Sequence, residues 1–157
     1  MGKVIIFVLL SLSSAFVYGD QFADSCLERH NYYRRLEGKP LMHLDPKAMA
    51  QAKRRAAELS SKCAFDHMGN MGSGFGENIN SVDDNCKDVV DKWYKEKPNY
   101  NPRNPVLTMD AGHYTQLVWK ATTQLGCAIA SHCRYKHVVV CNYYPPGNYR
   151  GKFPENV

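Results

Sequence analysis

Two histidines and two glutamates in this chain stand where they could do chemistry. His113 sits in the run Gly112-His113-Tyr114-Thr115-Gln116-Leu117-Val118-Trp119, and His67 lies just ahead of a glycine-rich stretch. Glu77 follows Gly76 and precedes Asn78-Ile79, and Glu96 comes three residues after Trp93, one helical turn further on. Neutral imidazoles are good ligands for a zinc-like ion. A carboxylate that accepts the second imidazole N–H fixes the ring, and a metal-bound water beside a glutamate base is a route to hydrolysis. Spacing alone does not assemble these residues, because the chain has no His-Glu-x-x-His or comparably compact motif. Taken singly, each histidine reads as a structural or surface residue rather than as a ligand. A serine nucleophile finds no support: there is no Gly-x-Ser-x-Gly turn, and the hydroxyls beside His113 are Tyr114 and Thr115.

The elements that must carry these residues are mostly helical. Ser25-Cys26-Leu27-Glu28 has the form of a capping box and predicts a helix to about Arg35, ending before Gly38 and Pro40. Asp45-Pro46 predicts a second start, and Ala48, Met49, Ala52, Ala56 and Leu59 recur at helical spacing to about Ser61. Lys53-Arg54-Arg55 reads as a solvated face of that helix. Gly69 to Gly76 predicts a loop. Asp83 or Asp84 is the expected cap of a third helix carrying Val89, Val90, Trp93 and Tyr94, ended by Pro98. Pro98 to Asp110 reads as a long loop, followed by a short helix over 111–120. Gly126 to Ala130 and Val138 to Tyr144 read as strands. Helices around a few strands predict an α+β layered fold.

The N-terminus predicts where the chain works. Lys3, an apolar run from Val4 to Val17, and small residues before Asp20 form a secretory signal peptide over residues 1–19. The apolar run is too short to be a comfortable membrane span, and no later stretch suits one. Residues 20–157 then make a single domain. Removing Lys3 lowers the formal charge from +5 to +4, and without a dense basic run nucleic acid is not an expected partner. All six cysteines follow the leader, an even number suited to three disulfides in an oxidising compartment, with fifteen connectivities open. No Cys-x-x-Cys pair points to thiolate zinc.

Four segments in order resemble the CAP family of cysteine-rich secretory, antigen 5 and pathogenesis-related-1 proteins. They are His30-Asn31-Tyr32-Tyr33-Arg34, Gly76-Glu77-Asn78-Ile79, Gly112 to Trp119, and Cys141-Asn142-Tyr143-Tyr144-Pro145-Pro146-Gly147-Asn148. The resemblance covers nearly all of residues 20–157. It implies a disulfide-stabilised three-layer α-β-α sandwich with a small antiparallel sheet. It implies that His67, Glu77, Glu96 and His113 meet in a surface cleft, with His67 and His113 as ligands of zinc or another divalent cation. It implies the pairs Cys63–Cys133 and Cys127–Cys141, which leave Cys26 to pair with Cys86. A sterol or other lipid is the second implied ligand, held by the loop before the Gly-His-Tyr helix through Tyr100, Pro105, Val106, Leu107 and Met109. His30, Asn31 and Arg34 read as structural hydrogen-bonding residues. The family also implies extracellular roles at a receptor or microbial surface, and release in plant relatives of a terminal peptide matching 145–157. The expected function is a secreted binding protein or effector. The alternative is a metal-dependent secreted hydrolase or protease.

Overall fold

In the computed structural model, which describes residues 10–81 and 83–157, Asp45 starts a helix as its place before Pro46 predicts. Its carboxylate accepts the backbone N–H of Ala48 at 2.9 Å, and Pro46 occupies the first turn, where no partner for an N–H is needed. The elements run α1 (Leu10–Leu36), β1 (His43–Leu44), α2 (Pro46–Lys62), β2 (Gly76–Ser81), α3 (Cys86–Tyr94), α4 (Gly112–Val118), β3 (Gln124–His132), β4 (Lys136–Tyr144) and α5 (Phe153–Asn156). Single 3-10 turns lie at Met68–Asn70 and Lys97–Asn99.

The sheet order is β1-β3-β4-β2. It is antiparallel except at one edge, where β1 runs parallel to β3 and corrects the all-antiparallel expectation. Alternation along β4 divides the core in two. Val139, Cys141 and Tyr143 join α1, α3 and α4 on one face, and Val138 and Val140 meet Ala52, Ala56 and Leu59 of α2 on the other. These are the three layers. Gly126 is required where α2 crosses β3, because a β-carbon there would collide with the backbone of Ala48 and Met49.

Three disulfides hold the layers together. Cys26–Cys86 ties α1 to α3, Cys63–Cys133 ties the end of α2 to the β3–β4 turn, and Cys127–Cys141 bridges directly opposed residues of β3 and β4. The pairs are those the resemblance implies. The sulfurs of the first and third bonds form one buried cluster, all within 4.8 Å of one another.

Several boundaries differ from expectation. Residues 1–9 of the expected leader lie outside the described residues, and 10–19 belong to α1. Ser25 is therefore inside a helix rather than at its start. Leu10 to Asp24 contains no proline, and its one glycine costs a helix only about 1 kcal/mol. The cap of α3 is Asn85, whose side chain accepts from Lys87 N at 2.9 Å, rather than Asp83 or Asp84. Only the residue directly before the first turn can reach its free N–H groups, and Asp83 pairs instead with Lys92. The helix ends at Tyr94, and Pro98 falls within the following 3-10 turn. No helix among the described residues is long and apolar enough to cross a membrane.

The first motif is structural throughout. Asn31 exchanges two hydrogen bonds with the backbone of Met42, donating at 3.0 Å and accepting at 2.8 Å. His30 is fully buried between the carbonyl of Cys26 at 2.7 Å and the hydroxyl of Tyr143 at 2.8 Å. Burial lowers its pKa to about 4. Above pH 6.5 both folded and unfolded states leave it neutral. Below that the unfolded chain takes a proton that the folded protein refuses, so stability is lost as pH falls from 6.5 towards 4. The loss attributable to His30 is at most about 3 kcal/mol. Urea midpoints should fall steadily across that window, and no titration of the His30 ring should be seen by NMR above pH 5.

Candidate functional site

His67, Glu77 and His113 line one cleft and Glu96 is bonded to His113, each brought there by a different piece of backbone. His67 lies in the turn after α2, Glu77 is the second residue of β2, Glu96 follows the end of α3, and His113 is the second residue of α4. They form two acid–imidazole pairs. His67 Nδ1 is 2.9 Å from Glu77 Oε1, and His113 Nδ1 is 2.6 Å from Glu96 Oε1. With ionised carboxylates, both Nδ1–H groups donate and both Nε2 atoms keep their lone pairs.

Each carboxylate is itself held. Glu96 Oε2 accepts the backbone N–H groups of His113 at 3.0 Å and Tyr114 at 3.2 Å, which anchors it to the first turn of α4. Glu77 is bound by Arg55, through Nε to Oε2 at 2.9 Å and Nη2 to Oε1 at 3.2 Å. Arg55 also reaches Glu58 at 2.8 Å and the carbonyl of Asp66 at 2.7 Å. The side chains of Arg55 and Glu77 are each only 1 % exposed. Arg55 is thus a site residue, which corrects its reading as part of a solvated face. Its neighbour Arg54 does face solvent. The signal was in the spacing: Ala48, Ala52, Arg55 and Leu59 follow one another at intervals of four and three, on the buried stripe of α2.

The His113 ring lies nearly parallel to Trp93, with centroids 5.9 Å apart. Asn78 donates to the His113 carbonyl at 3.1 Å and to the Tyr143 hydroxyl at 3.2 Å, linking the cleft to the core. The cleft itself, about 380 Å³, is lined by His67, Glu77, His113, Leu107, Met109 and Asn148 among others. It opens past His67 into a shallower groove of about 570 Å³ that includes Met71, Phe75, Gly147 and Tyr149. Asn148 is in the left-handed conformation at φ 59° and joins these walls. It accepts from Thr115 Oγ1 at 2.7 Å and donates to the Gly112 carbonyl at 2.9 Å.

The loop ahead of α4 divides. Val106, Leu107 and Met109 are exposed, and Leu107 and Met109 face the cleft. Val106 and Leu107 also border a neighbouring hollow of about 380 Å³ with Arg150 and Phe153. Pro105 is half-buried. Tyr100 turns away, against Tyr114 and Phe153 on the core, so the structure does not place it with the others. The segment 145–157 is built into the domain. Phe153 is fully buried, and Asn156 accepts from Lys120 N and Ala121 N at 3.0 Å each.

The side chains here that could ligate a metal are two imidazoles whose Nδ1 atoms are already paired with carboxylates. The carboxylates serve as partners of the rings, and among the described residues this set does not gather three donor atoms within 4.8 Å of one another. A metal held by two imidazoles has open positions for water or an added ligand.

The chain is similar to proteins of one family over most of its length. Residues 27–143 match the model of "CAP: Cysteine-rich secretory protein family". The chain is 37% identical over 142 residues to the human "Golgi-associated plant pathogenesis-related protein 1", covering 87% of this chain and 92% of that one. Among solved structures, Na-ASP-1 is similar at 31% identity and a TM-score of 0.67, over 82% of this chain but 39% of its own length. The structure titled "NaASP2 with Zn2+" matches at 28% identity and a TM-score of 0.67, over 83% of each chain.

Proposed function

The chain belongs to the CAP family of cysteine-rich secretory proteins, and from that premise we propose that it is a secreted binding protein whose cleft takes a zinc-like divalent cation. The observation that carries this is the pair of imidazoles in one cleft, each held through Nδ1 by a carboxylate and each left with Nε2 free. His67 and His113 are the ligands, and Glu77 and Glu96 orient them. The related structure titled with Zn2+ supports the reading. Two protein ligands are fewer than the three usual in catalytic zinc sites, so binding is weak and the ion exchangeable. Both carboxylates are already engaged, which favours binding over hydrolysis. The leader over residues 1–19 directs the protein out of the cell, where its disulfides are stable. The exposed Val106, Leu107 and Met109 offer apolar contact to a sterol or other lipid at the mouth of the same cleft.

Native mass spectrometry of the secreted protein, purified without chelator, should show one added zinc. His67→Ala and His113→Ala should each abolish it. Glu96→Gln should weaken it about 10- to 100-fold by releasing the His113 ring. A bound sterol should disappear when residues 100–109 are shortened. A bare polypeptide mass for the unaltered protein would sink both ligand readings.

A further inference from the structure

The four sulfurs of Cys26–Cys86 and Cys127–Cys141 lie within 4.8 Å of one another, so the two bonds are direct neighbours in the core. None of the four residues is more than 1 % exposed. Their positions in the fold are nevertheless unequal. Cys127 and Cys141 face each other on β3 and β4, the two inner strands of the sheet. Cys86 is the first residue of α3 and helps to line a surface hollow of about 230 Å³ with Gln21, Phe22, Ser25, Asp84 and Asn85. Cys63 and Cys133 are not members of the cluster.

The helix start matters chemically. The unpaired N–H groups of a first turn and the positive end of the helix favour a thiolate, and the thiolate is the species that attacks a disulfide. Cys86 is therefore the reactive member of its pair once the bond to Cys26 opens. Its sulfur then lies within 4.8 Å of both sulfurs of the second bond, a gap that a change of rotamer can close.

We propose that the two bonds form a thiol–disulfide relay, through which a small dithiol admitted at the Cys86 hollow reduces the buried Cys127–Cys141 bond. The dithiol gives two electrons and two protons to Cys26–Cys86 and leaves as its own disulfide. Cys86 loses its proton to water, and its sulfur forms a bond to Cys127 or Cys141. The Cys127–Cys141 bond breaks, and its electron pair stays on the other hairpin sulfur, which takes up a proton. Cys26, deprotonated in turn, attacks Cys86, re-forms Cys26–Cys86 and releases the second hairpin sulfur, which is also protonated. One bond forms for each that breaks, so the interchange needs no oxidant. The product is a β3–β4 hairpin with two thiols beneath an intact tie between α1 and α3.

The Cys26→Ala variant of the full chain leaves Cys86 as its single free thiol. Kept folded at neutral pH, quenched with acid and digested with pepsin, it should yield peptides that join Cys86 to Cys127 or to Cys141, with Cys63–Cys133 intact. A variant that keeps Cys127–Cys141 whole and Cys86 free would overturn the inference. So would bonds from Cys63 or Cys133 to the other cysteines, which mark interchange in an unfolded chain. The unaltered protein gives a second test that does not depend on the variant folding. Treated with limiting dithiothreitol without denaturant and then quenched with acid, it should carry thiols at Cys127 and Cys141 as well as at Cys26 and Cys86. Thiols confined to Cys26 and Cys86, or none in the cluster, would overturn the relay. Replacing Cys26 and Cys86 together by alanine should abolish the hairpin thiols under the same conditions, and their survival in that folded variant would show direct reduction instead.

Discussion

Arg55→Met should destabilise the domain by about 3–5 kcal/mol, the usual cost of breaking a buried ion pair from one side. Arg55 and Glu77 are each 1 % exposed at the side chain, and two hydrogen bonds join them. Removing the guanidinium leaves the Glu77 carboxylate without its counter-charge and with His67 as its remaining side-chain partner. Glu58 and the carbonyl of Asp66 lose donors at the same time. The second substitution Glu77→Gln, made in the Arg55→Met background, should recover a large part of the loss, because it removes the stranded charge. Urea unfolding of the two variants measures this directly. A loss under about 1 kcal/mol for Arg55→Met would mean that the pair contributes no more than an exposed one. Zinc affinity should fall in the same variant, since Arg55 fixes the carboxylate that fixes His67.

Arg34→Met should be more damaging still. Arg34 is fully buried without a carboxylate partner, and its guanidinium instead donates to four backbone carbonyls. These are Pro40 at 2.6 Å, Leu117 and Trp119 at 2.9 Å, and Thr122 at 2.8 Å. Burial lowers its pKa to about 10, and it remains charged at neutral pH. Methionine matches much of the volume and leaves those acceptors unpaired, at about 1–3 kcal/mol for each that water cannot reach. The sum is comparable with the whole stability of an ordinary domain, about 5–15 kcal/mol. The expected result is loss of secretion as a folded protein at 37 °C. Arg34→Lys should rescue only in part, because a compact ammonium has three donors and no planar fork. Secreted yield and the melting temperature of what is recovered are the measurements. A variant that melts within a few degrees of the parent would show that the carbonyls find other donors.

Helix α2 and the strands β3 and β4 were legible in the sequence because local signals and burial agree there. Asp45-Pro46 marks a start, the alanine stripe marks a face, and Val138 to Val140 mark a strand that is covered on both sides. Strand β2 carries no such signal. Gly-Glu-Asn-Ile-Asn-Ser has one large apolar residue, and it is a strand because its backbone pairs with β4 from Gly76↔Tyr143 to Ser81↔Val138. The two-residue β1 and the four-residue α5 are too short to show a period. The site divides in the same way. His67, Glu77, Glu96 and His113 were named through the resemblance, since no local pattern joins residues on four separate pieces of chain. Arg55 was hidden by its charge: a basic run suggests solvent, and only the partner Glu77, 22 residues away, makes its burial possible. Tyr100 was misplaced because an aromatic residue in a loop can face either way, and the ring of Phe153 that draws it inward is distant in sequence.

The bond between Cys63 and Cys133 has a consequence for proteolysis. All four residues of the two acid–imidazole pairs lie between these two cysteines, within a covalent ring. The exposed loop around Arg103 is the natural place for a protease to cut, and it lies in the same ring. The other two disulfides each fall wholly on one side of that cut. A protein nicked there is therefore held as one molecule by Cys63–Cys133, with His67, Glu77 and Glu96 on one fragment and His113 on the other.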